Sequence, residues 1–461
     1  MTSVPSSPTS GEPFDSLIAA MLRGEWVNPE TGRRAAAIPF LDIRLMDTTE
    51  GAEADLVAPL GLGRRLAVIC DPRTHEALGA RVARGLRAIA AIDETVVDFD
   101  EADAFAVAQI RERTRHADAL IAVGSGTLQD LVKYATFLDR RPFATFATAA
   151  SMNGYTSITA SISNEKGFKQ SLKAHTPRGL FMDVAVAAKA PPYLARSGLG
   201  DCLCRSSAQV DWRLSSRLLG TPYFELPFML QAHDEAELFK SAAGLATGNR
   251  EAIRTLYRLL TWTGLGTCFT GTSHHGSMSE HLVSHWIDMF AGKDHPGTLH
   301  GHQVGYAAVS MSRLQHLVLD SGEPPVLSAS SVDRAAIMAR YGEEMGKHCL
   351  SALSAKALDE ATARRLSAEM ARDWDAFRKP LREVMLPSAV LENALQAAGG
   401  YVTAAQSGLP AGIYCQALVH AREIRDRFSI LDIAAEAGLL EEFAARHSAV
   451  ECKTSAKGDA A

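Results

Sequence analysis

Four short apolar runs mark the front half of the chain, and residues with helical spacing follow the first three. Arg65-Leu66-Ala67-Val68-Ile69-Cys70 stops at Asp71-Pro72, the pattern of a strand buried on both faces that enters a turn. His75 to Ile89 then carries Leu78, Val82, Leu86 and Ile89 at helical spacing. Thr95 to Phe99 predicts a second strand and Ala104 to Thr114 a second helix. Ala119-Leu120-Ile121-Ala122-Val123 predicts a third strand, which enters Gly124-Ser125-Gly126 and a helix from Thr127 to Phe137. Phe143 to Ala147 predicts a fourth strand. Strands that alternate with helices imply a parallel sheet covered on both faces, with ligands at the carboxyl ends of its strands.

The pattern changes near Pro191. Helical spacing dominates from there, over Ala236–Ala246, Arg250–Trp262, Ser277–Ala291, Asp333–His348 and Ala355–Val384. Ahead of the sheet, Phe14 to Leu22 reads as a short helix and Trp26 to Pro39 as a loop. The expected organisation is an N-terminal extension over 1–40 and an α/β dinucleotide-binding domain over 41–190. An all-helical domain is expected over 191–448, then a polar, disordered tail over 449–461.

Composition narrows the function. A net charge of −6 over 461 residues implies no broad basic face, which argues against a nucleic-acid partner. No apolar run reaches the length of a membrane span, and Met1 to Phe14 lacks the pattern of a secretory signal. Seven scattered cysteines without a CxxC pair read as reduced thiols, so a cytoplasmic protein is expected, with homo-oligomerisation open.

Candidate chemistry sits at three places. Gly124, Ser125 and Gly126 lie where a strand meets a helix, suited either to a pyrophosphate cradle or to a tight turn that needs glycine. Asp71 ends a strand; it suits a ribose hydroxyl and favours NAD over NADP, or it is a turn aspartate before Pro72, with Arg73 adjacent. His281 and His285 lie one helical turn apart, and His300 returns before a glycine. With Asp201 from Ser197-Gly198-Leu199-Gly200-Asp201, two of these histidines complete a three-ligand metal site with an open position.

These pieces occur in one order: GSGTLQD at 124–130, Thr148-Ala149-Ala150-Ser151, Ser197 to Asp201, His281xxxHis285, and His300-Gly301. From about residue 60 to 430 the chain resembles the iron-containing alcohol dehydrogenase and dehydroquinate synthase-like superfamily, and within it the sn-glycerol-1-phosphate dehydrogenases. The resemblance implies a metal-dependent NAD(P)-linked dehydrogenase that interconverts dihydroxyacetone phosphate and sn-glycerol 1-phosphate or a related polyol phosphate. It implies that Gly126, Thr127, Leu128, Gln129 and Asp130, then Thr148, Ser151 and Ser157, hold the nicotinamide cofactor. Asp201, His281 and His300 would bind the metal, with zinc expected and iron or nickel as alternatives. Asp201 and His285 would face the substrate. A cyclase that uses NAD transiently, like dehydroquinate synthase, is the competing expectation.

Two positions depart from that pattern. Asn153 stands where the family has an aspartate that contacts substrate, and His302 stands where it tends to have a glutamate. Both bear on which phosphorylated ketose or polyol is used. For a phosphate group, Lys169, Lys173, Arg205 and Lys293 are the cations in suitable segments.

Overall fold

A computed structural model describes residues 14–99, 101–164 and 169–448. The expectations for residues 1–12 and 449–461 lie outside the described residues. The chain forms two compact units, Met1–Cys202 with Phe224–Ser273, and Leu203–Tyr223 with His274–Ala461.

The first unit is built on six parallel strands: β1 (Asp42–Met46), β2 (Arg65–Cys70), β3 (Ala91–Val96), β4 (Ala119–Gly124), β5 (Phe143–Ala147) and β6 (Gly179–Asp183). Their spatial order is β1-β6-β5-β4-β2-β3. Apolar runs succeed here because alternate residues of one strand enter two different cores. Leu120 and Ala122 pack with Leu128, Leu131, Val132 and Ala135 of α1 (Gly126–Asp139), while Ala119, Ile121 and Val123 pack with Val82 and Leu86 on the other face.

Several expectations change. The strand expected at Thr95–Phe99 lies at Ala91–Val96, because this edge strand is half exposed and carries Asp93 and Glu94. The helix expected over His75–Ile89 is a π turn, His75–Gly79, followed by Ala80–Leu86. Trp26–Pro39 contains a small hairpin, Val27–Asn28 against Arg33–Arg34. Thr159–Ser163 and Lys169–Lys173 form a second antiparallel pair.

Helices α2 (Pro192–Cys202) and α4 (Arg250–Thr270) cluster with the sheet. The boundary expected at residue 190 follows periodicity, whereas compactness follows packing, so a helical stretch joins the first unit. The second unit is helical in its described residues. Its frame includes α3 (Cys204–Leu219), α5 (Ser279–Phe290) and α6 (His300–Leu319). No described helix is long and apolar enough to cross a membrane.

Candidate functional site

In the first unit, the predicted cofactor residues gather at the carboxyl ends of adjacent strands. The chain runs outward from β2 to β3 and then returns to β4 on the other side of β2. Asp71 and Gly124 therefore flank the switch point where such sheets bind nucleotides. Neither Gly124 nor Gly126 has a positive φ. Crowding calls for glycine at Gly124 instead, where a Cβ would lie 2.5 Å from Leu128 Cδ2 and 2.9 Å from Leu128 Cβ; one on Gly126 would meet only the flexible Met152 side chain, with Sδ at 3.3 Å. Asp71 caps Pro72–Thr74, its Oδ1 accepting from the N–H groups of Arg73 and Thr74 at 2.8 and 2.9 Å. The turn role and a ribose role thus meet on one carboxylate.

The rest of the predicted cradle is tied inward. Thr148 N donates to Gly124 O at 3.2 Å, which brings β5 and the glycine turn together. Buried Gln129 accepts from Thr145 Oγ1 at 2.8 Å. Asp130 Oδ2 accepts from Ser161 N at 3.2 Å, and burial pushes its carboxyl up against the opposing pull of Lys133. Lys133 is fully buried and donates to Gly154 O and Thr159 O, with Ser157 Oγ at 3.4 Å. Ser157 in turn donates to Thr159 O at 2.8 Å.

Asn153 and Asp201 meet in this unit. Asn153 N donates to Asp201 Oδ2 at 2.9 Å, and Ser197 Oγ donates to Ser151 O at 3.3 Å. Ser197 to Asp201 lies inside α2. Its glycines lower helix propensity, but Gly198 answers a contact: a Cβ there would fall 2.0 Å from Ala150 O. Gly264 of α4 does the same on the other side, where a Cβ would lie 2.3 Å from Asn153 O. Two helices are thereby pressed onto the segment that carries Ser151 and Asn153.

In the second unit, α5 and α6 bring three imidazoles together. The His281 and His300 rings are 5.0 Å apart, as are those of His285 and His300, while His281 and His285 are 6.1 Å apart. His281 is 5% exposed, and its Nδ1 lies 3.0 Å from Glu280 Oε1. Glu280 is fully buried, with Oε1 accepting from Met278 N at 2.7 Å and Oε2 from Ser207 Oγ at 2.8 Å. Burial raises its acid, but His281 and the Met278 N–H outweigh that, holding the carboxyl below its ordinary range. A carboxylate only accepts, so Nδ1 of His281 is the donor and Nε2 keeps its lone pair.

His300 is oriented by a different group. Ser284 Oγ donates to Gln303 Oε1 at 2.8 Å and lies 2.7 Å from His300 Nδ1. With the hydroxyl proton committed to Gln303, His300 Nδ1 donates to Ser284, and its Nε2 is the unprotonated ring nitrogen. Sequence reasoning missed Glu280, Ser284 and Gln303. Their only signal is polarity at buried positions within helices. Cys204, Glu280 and His281 form another cluster close enough for a cation, although Glu280 is already engaged from three sides.

The class these features define is that of the iron-containing alcohol dehydrogenases, whose family model matches residues 47–191. The chain belongs to the glycerol-1-phosphate dehydrogenase family within that superfamily. It is 31% identical over 260 residues to glycerol-1-phosphate dehydrogenase [NAD(P)+] of Thermococcus sibiricus, covering 56% of this chain and 73% of that one. Over 255 residues it is 34% identical to the Bacillus velezensis enzyme of the same name, covering 53% of this chain and 64% of that one, just under two thirds of its length. A probable glycerol dehydrogenase from Sinorhizobium meliloti shares the fold at TM-score 0.59 and 16% identity, over 88% of this chain and 98% of that one.

Proposed function

We propose that the chain is a metal-dependent, NAD(P)-linked dehydrogenase that interconverts dihydroxyacetone phosphate and sn-glycerol 1-phosphate or a closely related polyol phosphate. The observation that carries this reading is the pair His281 and His300, each with Nδ1 held by a neighbour, which makes Nε2 the unprotonated nitrogen that a metal takes. Two imidazoles and the buried carboxylate of Asp201 make a donor set that suits a divalent metal, zinc first. Asp201 precedes by two residues the point where the chain passes into the second unit.

A metal held there supplies Lewis-acid polarisation of a carbonyl, and the nicotinamide supplies or takes the hydride. The chain's own residues do the positioning. Gly124 to Asp130 with Thr148, Ser151 and Ser157 form the cofactor cradle at the switch point. Asn153, whose backbone is fixed by Asp201, offers its amide to a substrate oxygen as donor or acceptor. His285, one turn after His281, holds or moves the proton exchanged at the substrate hydroxyl.

The test is NADH consumption with dihydroxyacetone phosphate, followed by assignment of the product's configuration. Net formation of the sn-1 isomer supports the proposal. Cofactor binding without net oxidation, or exclusive turnover of unphosphorylated polyols, refutes it. Glu280→Gln should weaken metal affinity by about 10- to 100-fold in a chelator competition, because the amide is a poorer acceptor for His281 Nδ1–H. Unchanged affinity would show that Glu280 does not orient the ligand. NAD should be preferred to NADP, by roughly tenfold in kcat/KM, since Asp71 repels a 2′-phosphate. Arg73 limits the margin, and a preference for NADPH would overturn the role given to Asp71.

A further inference from the structure

Of the cations named from the sequence, Lys173 and Lys293 are exposed, and Arg205 donates to Gln209 Oε1 at 2.9 Å. A lysine that the motifs did not mark lies deeper. Lys133, two turns into α1 from Gly126, is fully buried. Its ammonium donates to Gly154 O, to Thr159 O at 3.0 Å and to Ser157 Oγ at 3.4 Å. An ammonium has three donors, so each N–H bond has an oxygen of one short segment. Burial works against the charge, and Asp130 Oδ1, 3.8 Å away, works for it.

That segment, 153–161, carries Asn153 and Ser157 and is held by two helices. On α1, Asp130 Oδ2 accepts from Ser161 N at 3.2 Å beside the three bonds of Lys133. On α4, Thr261 O accepts from Thr156 Oγ1 at 3.0 Å, and Thr267 Oγ1 accepts from Ile158 N at 3.2 Å. Of these contacts, only those of Lys133 reach Ser157 itself and the carbonyl of the residue after Asn153. All of them lie within the first unit.

We propose that Lys133 is a positioning residue for the nicotinamide half of the cofactor. A pyrophosphate falls at the glycine turn and the N-terminus of α1. Asn153 faces the substrate, so Ser157 and the Gly154 turn border the end of the cofactor that meets it. Lys133 acts through them, by fixing where Ser157 Oγ and the turn stand. Burying an ammonium is costly even when it is paired, and an apolar side chain of similar volume often fills such a space as stably. The charge at Lys133 therefore serves the placement of three oxygens more than the stability of the unit. This role rests on the proposed cofactor cradle and adds what fixes one half of it.

The experiment titrates wild type, Lys133→Met and Lys133→Gln with NADH and with ADP-ribose, which lacks the nicotinamide. Lys133→Met keeps the stem and removes the donors. Its Kd for NADH should rise about 10- to 100-fold, the scale of a lost charge-assisted hydrogen bond, and its Kd for ADP-ribose by less than about threefold. Its melting temperature should stay within about 3 °C of wild type. Lys133→Gln restores two N–H donors and should recover part of the NADH affinity. It carries the decision if Lys133→Met unfolds, again through unequal losses on the two ligands. Unchanged NADH binding in a folded variant, or equal losses on NADH and ADP-ribose, overturns the positioning role and leaves Lys133 an anchor of the fold. A wild-type chain that binds neither ligand sinks the cradle and this role together. A chain that shows the expected pattern but does not turn over dihydroxyacetone phosphate keeps the role of Lys133 and sinks the proposed activity.

Discussion

His281→Ala is expected to remove the bound metal and lower kcat/KM by at least about 1000-fold while the chain stays folded. The magnitude follows from losing several kcal/mol of Lewis-acid stabilisation, each 1.4 kcal/mol being about tenfold in rate. The fold should survive because α5 keeps Leu282, Val283, Trp286 and Ile287 in its core. Glu280 would then lose one partner but retain Met278 N and Ser207 Oγ. Elemental analysis and the melting temperature check both halves. Full metal occupancy in the variant would remove His281 from the ligand set.

Gly198→Ala is the second large effect, and it acts through the backbone. The new Cβ would lie 2.0 Å from Ala150 O and 2.9 Å from its carbonyl carbon, so either α2 or the 149–153 segment must move. Overpacking against backbone costs about 3 kcal/mol, a fall of roughly 6 °C in melting temperature for a unit of about 250 residues. The same shift separates Asp201 from Asn153 N, now 2.9 Å apart. Activity should therefore fall further than stability alone explains, with a measurable loss of metal at temperatures where the variant is folded. A melting temperature within about 1 °C of wild type would show that the contact is easily relieved.

How far the sequence revealed this follows from where each residue lies. β2, β4 and β5 are legible because both faces of each strand are buried, which leaves an unbroken apolar run. β3 is an edge strand with charged residues, so its polarity displaced the expected strand by several positions. β1 escaped notice because it alternates, with only Ile43 and Leu45 buried. His281 and His285 were visible through their spacing. Glu280, Ser284 and Gln303 were not, since their importance comes from burial and from which ring nitrogen they contact. The need for glycine at Gly198 was not legible either, because it is set by Ala150, far away in the chain.

The most direct test of the account is X-ray absorption at the metal edge of the purified, loaded protein. The predicted first shell holds nitrogen and oxygen only, at about 2.0–2.2 Å, with the multiple-scattering signature of two imidazoles from His281 and His300 and a carboxylate from Asp201. A sulfur scatterer near 2.3 Å would place the metal on Cys204 instead, and a single imidazole would break the His281–His300 pair on which the proposed chemistry depends.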